Sequence, residues 1–241
     1  MKQSKWNILS NACIAEKVWK MVLRGDTTDM LPGQFVEIAV PGYYLRRPIS
    51  VCDIQDDCLT IIYKTVGHGT DFMARMQPGE TLDILSCLGH GYDLRKAGDE
   101  VLVVGGGVGV PPLIYLAKQL RAQGKHVHAV LGFNTEKEVF AEEMFASLGC
   151  KVEVCTMDGS YGRRGVVTDL MAKPAPFYYA CGPLPMLRAI AETVGTNGQM
   201  SMEERMGCGV GICVGCSIET KKGIRRVCKE GPVFDAEELI W

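Results

Sequence analysis

The stretch DEVLVVGGGVGVPPLIYLAKQLRAQG, residues 99–124, constrains the fold more than any other part of the chain. Its first half is an almost unbroken apolar run, the pattern of a strand buried on both faces of a parallel sheet. Apolar residues then recur at helical spacing, with proline at the start and Gly124 just past the end. The alternation continues. HVHAVLGF reads as a strand, EKEVFAEEMFASLG as a helix and KVEVCTM as a strand; VVTDLMAK reads as a helix, PFYYACG as a strand and PLPMLRAIAETV as a helix. Strand and helix alternating to about residue 195 predict a doubly wound α/β domain.

The chain on either side reads differently. Before residue 99, short apolar segments such as GQFVEIAV and CLTIIYK are separated by the turn signals RGDTTD, PGYY, QDD, GHGTD and QPGE. Strands at that spacing predict a small antiparallel barrel or sandwich. After residue 195, TNGQMSMEERM leads into a cysteine-rich segment, and CSIETKKGIRRVC reads as two short strands joined at KKG. The expected organisation is a β domain over residues 1–98, an α/β domain over 99–198 and a small cysteine-rich subdomain over 199–241.

The 26 basic and 28 acidic residues leave a net charge of −2, with no basic excess to offset phosphates, so nucleic-acid binding is not indicated. No apolar run approaches the length of a membrane-spanning helix, and the N-terminus lacks the apolar core and small-residue cleavage site of a signal peptide. A cytoplasmic protein is expected. Cysteines there stay reduced, so a cysteine cluster points to metal or redox work more than to disulfides. Eleven cysteines also cannot all pair within one chain.

Three motifs carry chemistry. In VLVVGGGVGVPPL, glycines 105, 106, 107 and 109 join strand to helix. Such a turn lets a diphosphate approach the backbone, and the helix N-terminus supplies free N–H groups and partial positive charge. The strict dinucleotide fingerprint fails, because Val110 stands where its third glycine belongs. In YYACGPLPMLRAI, Cys181-Gly182-Pro183 ends a buried strand, where open α/β sheets bind ligands. In LRRPIS, Arg47 offers a planar fork for phosphate and Ser50 a hydroxyl for a ring nitrogen. Each also has a plainer reading: a turn that tightens packing, a small buried thiol, an exposed basic turn.

The cysteine segment is the most specific. Four residues separate Cys208 from Cys213, two separate Cys213 from Cys216, and Cys228 follows after eleven more. The four-then-two gap opens the plant-type [2Fe–2S] pattern, although there the fourth cysteine lies farther away. Zinc competes, since four thiolates suit it, but zinc ribbons pair two tight knuckles and Cys228 stands alone. Glycines at 207, 209, 211 and 215 suit a loop wrapped around a cluster, with backbone N–H groups turned to the sulfurs. Spacing favours the iron–sulfur cluster over zinc.

Together these features resemble the ferredoxin reductase-like flavoproteins. Within them the chain is most similar to the iron–sulfur electron-transfer subunits of two-subunit, NAD-dependent dihydroorotate dehydrogenases, over essentially its whole length. The resemblance implies that Arg47, Pro48, Ile49 and Ser50 form a flavin-binding turn, with Arg47 at the FAD diphosphate and Ser50 near the reactive ring edge. Ile62, Tyr63 and Lys64 would be the second flavin contact, and Gly69 and Thr70 the third. Gly105, Gly107 and Gly109 with Pro112 would form the nicotinamide-nucleotide loop. Cys181, Gly182 and Pro183, with Met186, would lie near the nicotinamide, and Cys208, Cys213, Cys216 and Cys228 would ligate the [2Fe–2S] cluster. The implied function is electron transfer in pyrimidine biosynthesis. An FMN-containing dihydroorotate dehydrogenase subunit would pass electrons through the cluster and FAD to NAD⁺, in a heterotetramer with two copies of each subunit. No side chain need act as an acid or base, and the histidines at 68, 90, 126 and 128 read as surface or packing residues. NAD is expected over NADP because GFNTEKEVF has no arginine for a 2′-phosphate and places Glu136 and Glu138 close by.

Two other readings share these residues. One is a relative coupling NAD(P)H to ferredoxin, sulfur compounds or hydrogen through the same modules. The other is a zinc-stabilised, nucleotide-binding regulatory module with no redox role.

Overall fold

The computed structural model describes residues 1–173 and 175–241. Seven strands come first: β1 (Lys2–Ala15), β2 (Val18–Arg24), β3 (Phe35–Ala39), β4 (Arg47–Ser50), β5 (Asp53–Gln55), β6 (Cys58–Lys64) and β7 (Thr81–Leu88). They form one antiparallel sheet in the order β4-β3-β7-β1-β2-β6-β5. Successive strands β4 and β5 stand at opposite ends of that order, joined only by Val51 and Cys52. The sheet must therefore curl until its two edges almost meet, giving the expected barrel with one unpaired seam. Trp6, Met21, Leu23, Val36, Ile38, Leu59, Ile61 and Tyr63 fill it.

Within residues 1–98 one element departs from the sequence reading. GHGTD is not a plain turn: it opens helix α1 (His68–Arg75). Thr70 caps it, its hydroxyl accepting from Val66 N at 3.0 Å and donating to Gly67 O at 3.0 Å.

The second sheet contains β8 (Glu100–Gly106), β9 (His126–Phe133), β10 (Lys151–Thr156), β11 (Arg163–Arg164), β12 (Tyr178–Cys181) and β13 (Gly198–Ser201), all parallel. Its order is β11-β10-β9-β8-β12-β13, so the winding reverses beside β8. Alternate residues of β8 enter two cores. Val101 and Val103 meet helices α2 (Pro112–Ala122) and α3 (Glu142–Ser147) on one face; Leu102 and Val104 meet helix α4 (Leu184–Val194) on the other. This double burial is why β8 reads as unbroken apolar sequence.

Two expected helices are shorter than the pattern suggested. In EKEVFAEEMFASLG the first turn is a separate 3₁₀ turn at Glu136–Glu138, and α3 starts only after Ala141, at φ 67°. Phe140 between them turns into the core. VVTDLMAK forms a single 3₁₀ turn, Val167–Asp169. The run Val-Val-Thr is β-branched, and the Asp169 carboxylate accepts from Val166 N at 2.9 Å, which favours a local turn over a helix.

The cysteine-rich tail folds back into both units. The expected strands at 217–226 form the hairpin of β14 (Ser217–Thr220) and β15 (Gly223–Arg226). The next strand, β16 (Val233–Asp235), pairs antiparallel with β13 and completes the second sheet. The sequence boundary at 198/199 therefore runs through β13. On the other side, His90 N donates to Gly231 O at 2.6 Å. Phe35 and Leu88 of the barrel share one core with Cys216, Val227, Cys228 and Phe234. Among the described residues no helix is long and apolar enough to cross a membrane.

Candidate functional site

Loop 208–216 lies against the β14–β15 hairpin without regular structure of its own. It bends where Gly209 and Gly211 adopt positive φ, 67° and 82°. Neither tolerates a side chain: a Cβ on Gly209 would fall 2.5 Å from Glu37 Oε1, and one on Gly211 2.7 Å from Lys229 Cδ. The bends turn backbone N–H groups inward. Val210 N, Ile212 N and Cys213 N point to Cys208 Sγ at 3.5, 3.3 and 3.4 Å, and Cys228 N points to Cys216 Sγ at 3.4 Å.

The four cysteines form two couples. The backbone N–H of Cys213 donates to Cys208 Sγ, and that of Cys228 donates to Cys216 Sγ. Burial pushes the Cys208 thiol up, but the N–H groups of Cys213, Val210 and Ile212 outweigh it and bring it down to about 6. Burial, reinforced by Cys216, pushes Cys228 up to about 12. Cys213 is exposed while Cys216 and Cys228 are buried. Among the described residues no three Cys, His, Asp or Glu side chains converge on a single ion position. A tetrahedral zinc needs its four thiolates on one point. Two couples, one for each iron, suit a [2Fe–2S] cluster, and the inward N–H groups suit its sulfurs.

The three segments expected at the flavin sit around the barrel seam. Arg47 and Ser50 bracket edge strand β4, where Ser50 pairs with Phe35 of β3. Arg47 lies flat against α1: a Cβ on Gly69 would fall 2.3 Å from its Nε. Arg47 also stacks over Tyr43, 5.2 Å from the ring centre. The fork of Arg47 and the N-terminus of α1 thus share one corner, a combination that suits an anion. Ile62 and Tyr63 are buried, and Tyr63 OH donates to Asn11 Oδ1 at 3.0 Å. Only their backbone is available toward the seam. Lys64 reaches the other domain, its Nζ 2.7 Å from Glu138 Oε1.

A cavity of about 390 Å³ opens at the carboxyl ends of β8, β9 and β10. Of the residues expected at the nucleotide, Gly107 and Pro183 line it, as does Met186. Gly105, Gly109, Pro112, Cys181 and Gly182 are not among its lining residues. A Cβ on Gly109 would fall 2.4 Å from Cys181 O and 2.5 Å from Gly182 N, so the two motifs interlock backbone to backbone. Burial pushes the Cys181 thiol up to about 12, so it stays a neutral thiol. Sequence reasoning missed Asn134, Met157 and Val166 in the lining and cited Glu138 only for its charge. Their signal was position: Asn134 follows β9, Met157 follows β10 and Val166 comes two residues after β11, all on the same side of β8 in the sheet. Glu138 is fixed there by Lys64 and by Asn134 Nδ2 at 2.7 Å. None of the four histidines lines this cavity. His90 Nδ1 instead meets Lys229 O at 2.7 Å, and His128 lies 3.3 Å from Glu153.

Comparison with known proteins adds five findings. The family model described as the iron–sulfur cluster binding domain of dihydroorotate dehydrogenase B matches residues 203–240. The electron transfer subunit of dihydroorotate dehydrogenase B (NAD(+)) from Bacillus caldolyticus is 45% identical, over 99% of this chain and 98% of the relative. The subunit of the same name from Fusobacterium nucleatum is 41% identical over 99% of both. Among solved structures, NADH-dependent reduced ferredoxin–NADP oxidoreductase superposes with TM-score 0.87 at 29% identity, over 98% of this chain and 90% of that one. A ferredoxin NADP⁺ reductase from Neisseria gonorrhoeae, solved with FAD and NADP, gives 0.70 at 16% identity, over 86% and 96%, a likeness of fold alone.

Proposed function

The chain belongs to the electron-transfer subunits of NAD-dependent dihydroorotate dehydrogenase B, and we propose that it carries electrons from a dihydroorotate-oxidising partner to NAD⁺. It is an oxidoreductase subunit that works with a catalytic partner and uses FAD, a [2Fe–2S] cluster and NAD. When bound, these groups supply the redox chemistry: single electrons at the cluster, a hydride at NAD⁺, and FAD as converter between them. We assign the partner an FMN and the assembly two copies of each subunit, in the cytoplasm, where it serves pyrimidine synthesis.

The chain's own residues position these groups. Residues 1–98 would serve FAD, 99–198 NAD and 199–241 the cluster. Arg47, with Pro48 and Ile49 in its strand and the α1 N-terminus at Gly69 and Thr70, would hold the flavin diphosphate. Ser50 and the backbone of Ile62, Tyr63 and Lys64 would meet the ring. The Gly105–Gly109 turn and the start of α2 at Pro112 would take the nicotinamide nucleotide's diphosphate, with Cys181, Gly182 and Pro183 beneath its reactive end. Glu138 is charged and no arginine or lysine lines the cavity among the described residues, which supports NAD over NADP. Cys208, Cys213, Cys216 and Cys228 would be the cluster ligands. Around the exposed Cys213, Ile212 and Val214 are 81% and 59% exposed, and this apolar rim would face the partner.

The observation that carries this reading is the shared core of Phe35, Leu88, Cys216 and Cys228. Phe35 is the cross-strand neighbour of Ser50, so Cys216 and Cys228, as the proposed ligands, would share a core with the strand proposed to meet the flavin. Exchange of Cys213 for serine tests it. The expected result is loss of red-brown iron–sulfur absorption and of dihydroorotate-driven NAD⁺ reduction in the complex, while NADH oxidation by an artificial acceptor continues. Equal loss of both activities would mean that the cysteines serve only the fold. A wild-type protein purified anaerobically, cofactor-replete, and showing neither flavin nor cluster bands would overturn the assignment altogether.

A further inference from the structure

Arg226 stands where the cluster loop, the hairpin and the last cysteine converge. It ends β15, and its cross-strand partner on the same face is Ser217. From that face Ser217 Oγ donates to Val214 O at 2.7 Å and Arg226 Nη1 donates to Gly211 O at 2.7 Å. Both carbonyls belong to the loop between Cys208 and Cys216. The Arg226 carbonyl accepts from the N–H groups of Lys229 and Glu230 at 3.0 and 2.9 Å, closing the turn that presents Cys228. The other edge of the guanidinium faces Glu230: Arg226 Nε donates to Oε2 at 3.0 Å and Nη2 donates to Oε1. This pair draws the Glu230 carboxyl down to about 2. The guanidinium thus bonds the loop that carries Cys208, Cys213 and Cys216, and the next residue, Val227, donates its N–H to Cys216 O at 3.0 Å just before Cys228, so the cation stands beside the ligand segments.

Reduction adds one negative charge to an iron–sulfur cluster. A nearby cation stabilises the reduced form, and a nearby carboxylate opposes it. We propose that Arg226 is a positioning residue for electron transfer: it ties the ligand loop to the hairpin and raises the cluster's reduction potential, and Glu230 sets how much of that charge the cluster feels. The inference presupposes that the four cysteines hold a [2Fe–2S] cluster.

The test is an equilibrium redox titration of the cofactor-loaded protein, followed by the visible absorption and electron paramagnetic resonance of the reduced cluster. Arg226→Gln is expected to shift the one-electron equilibrium threefold or more toward the oxidised cluster. Glu230→Gln is expected to shift it threefold or more the opposite way. A tenfold shift corresponds to about 59 mV for a one-electron couple. Arg226→Lys, which keeps the charge without the fork, should stay within threefold of the unsubstituted chain. Shifts below threefold in both glutamine variants, or shifts of the same sign, would overturn the proposal, and so would Arg226→Lys moving as far as Arg226→Gln. If Arg226→Gln fails to assemble the cluster, Glu230→Gln decides alone, because it leaves the arginine in place. An unsubstituted protein without cluster absorption would instead remove the cluster assignment itself.

Discussion

Replacing Gly109 by alanine tests the interlock between the two nucleotide motifs. Gly109 is not among the residues at positive φ, so alanine meets no conformational barrier there and only space is at issue. The new methyl would sit 2.4 Å from Cys181 O and 2.5 Å from Gly182 N. Ordinary contact begins at about 3.5 Å, so one side must retreat by about 1 Å. Both obstacles are backbone, and Cys181 is tied to Gly105 in the β12–β8 ladder. The yielding element is then the 3₁₀ turn Gly107–Gly109, which moves toward the cavity that Gly107 lines. Overpacking of this kind costs roughly 2 kcal/mol, or about 4–8 °C in melting temperature for a chain of this size. A misplacement of about 1 Å beside the reacting groups costs on the order of 100-fold in rate. Steady-state oxidation of NADH by an artificial acceptor, with flavin and cluster absorption recorded on the same sample, measures the effect. The expected outcome is a fall of about 10- to 100-fold in kcat/KM for NADH with both chromophores intact. NADH kinetics within twofold of the parent would refute the argument, because the motifs would then not be in contact.

Two further outcomes follow from buried and polarised groups. Glu37 is 1% exposed, its Oε1 has no hydrogen-bond partner, and burial pushes its carboxyl up to about 7, opposed by Arg46. The folded state therefore holds this proton more tightly than the unfolded one does, and stability declines as pH rises from the ordinary value of 4.5 to about 7. Glu37→Gln should remove that decline and stabilise the protein by roughly 3 kcal/mol above pH 7, measured by urea unfolding at several pH values; an unchanged pH profile would contradict it. In cluster-free protein, iodoacetamide should alkylate Cys208 with a midpoint near pH 6 while Cys228, near 12, stays unlabelled at pH 7. Peptide mass spectrometry distinguishes the two, and equal labelling would show that the loop N–H groups do not polarise Cys208.

Some of this organisation was legible because it is local. The strand-turn-helix at 99–124 declares itself through apolar periodicity, since β8 is buried on both faces and α2 on one. The cysteine spacing and its glycines were readable for the same reason: a short loop must bend sharply to bring its own N–H groups onto Cys208. The α1 helix was misread because its cap, Thr70, and its glycines also spell a turn. The lining residues Asn134, Met157 and Val166 were not legible, because each is ordinary in its own segment and becomes part of a site only when β9, β10 and β11 line up in turn on one side of β8.

What residue order alone made legible was a glycine-rich strand-to-helix turn, a four-cysteine segment whose spacing favours an iron–sulfur cluster, and a barrel ahead of them. These depend on residue type and separations of a few residues, which the chain carries in any conformation. How the parts adjoin depends on contacts between distant segments. The return of β16 to β13 seats the tail on the second sheet, and Phe35 and Leu88 close over Cys216 and Cys228. Lys64 crosses to Glu138 at the cavity, and Gly109 meets Cys181. Each contact joins residues far apart in the chain, so each depends on how the sheets close and on what burial demands, which no local pattern encodes.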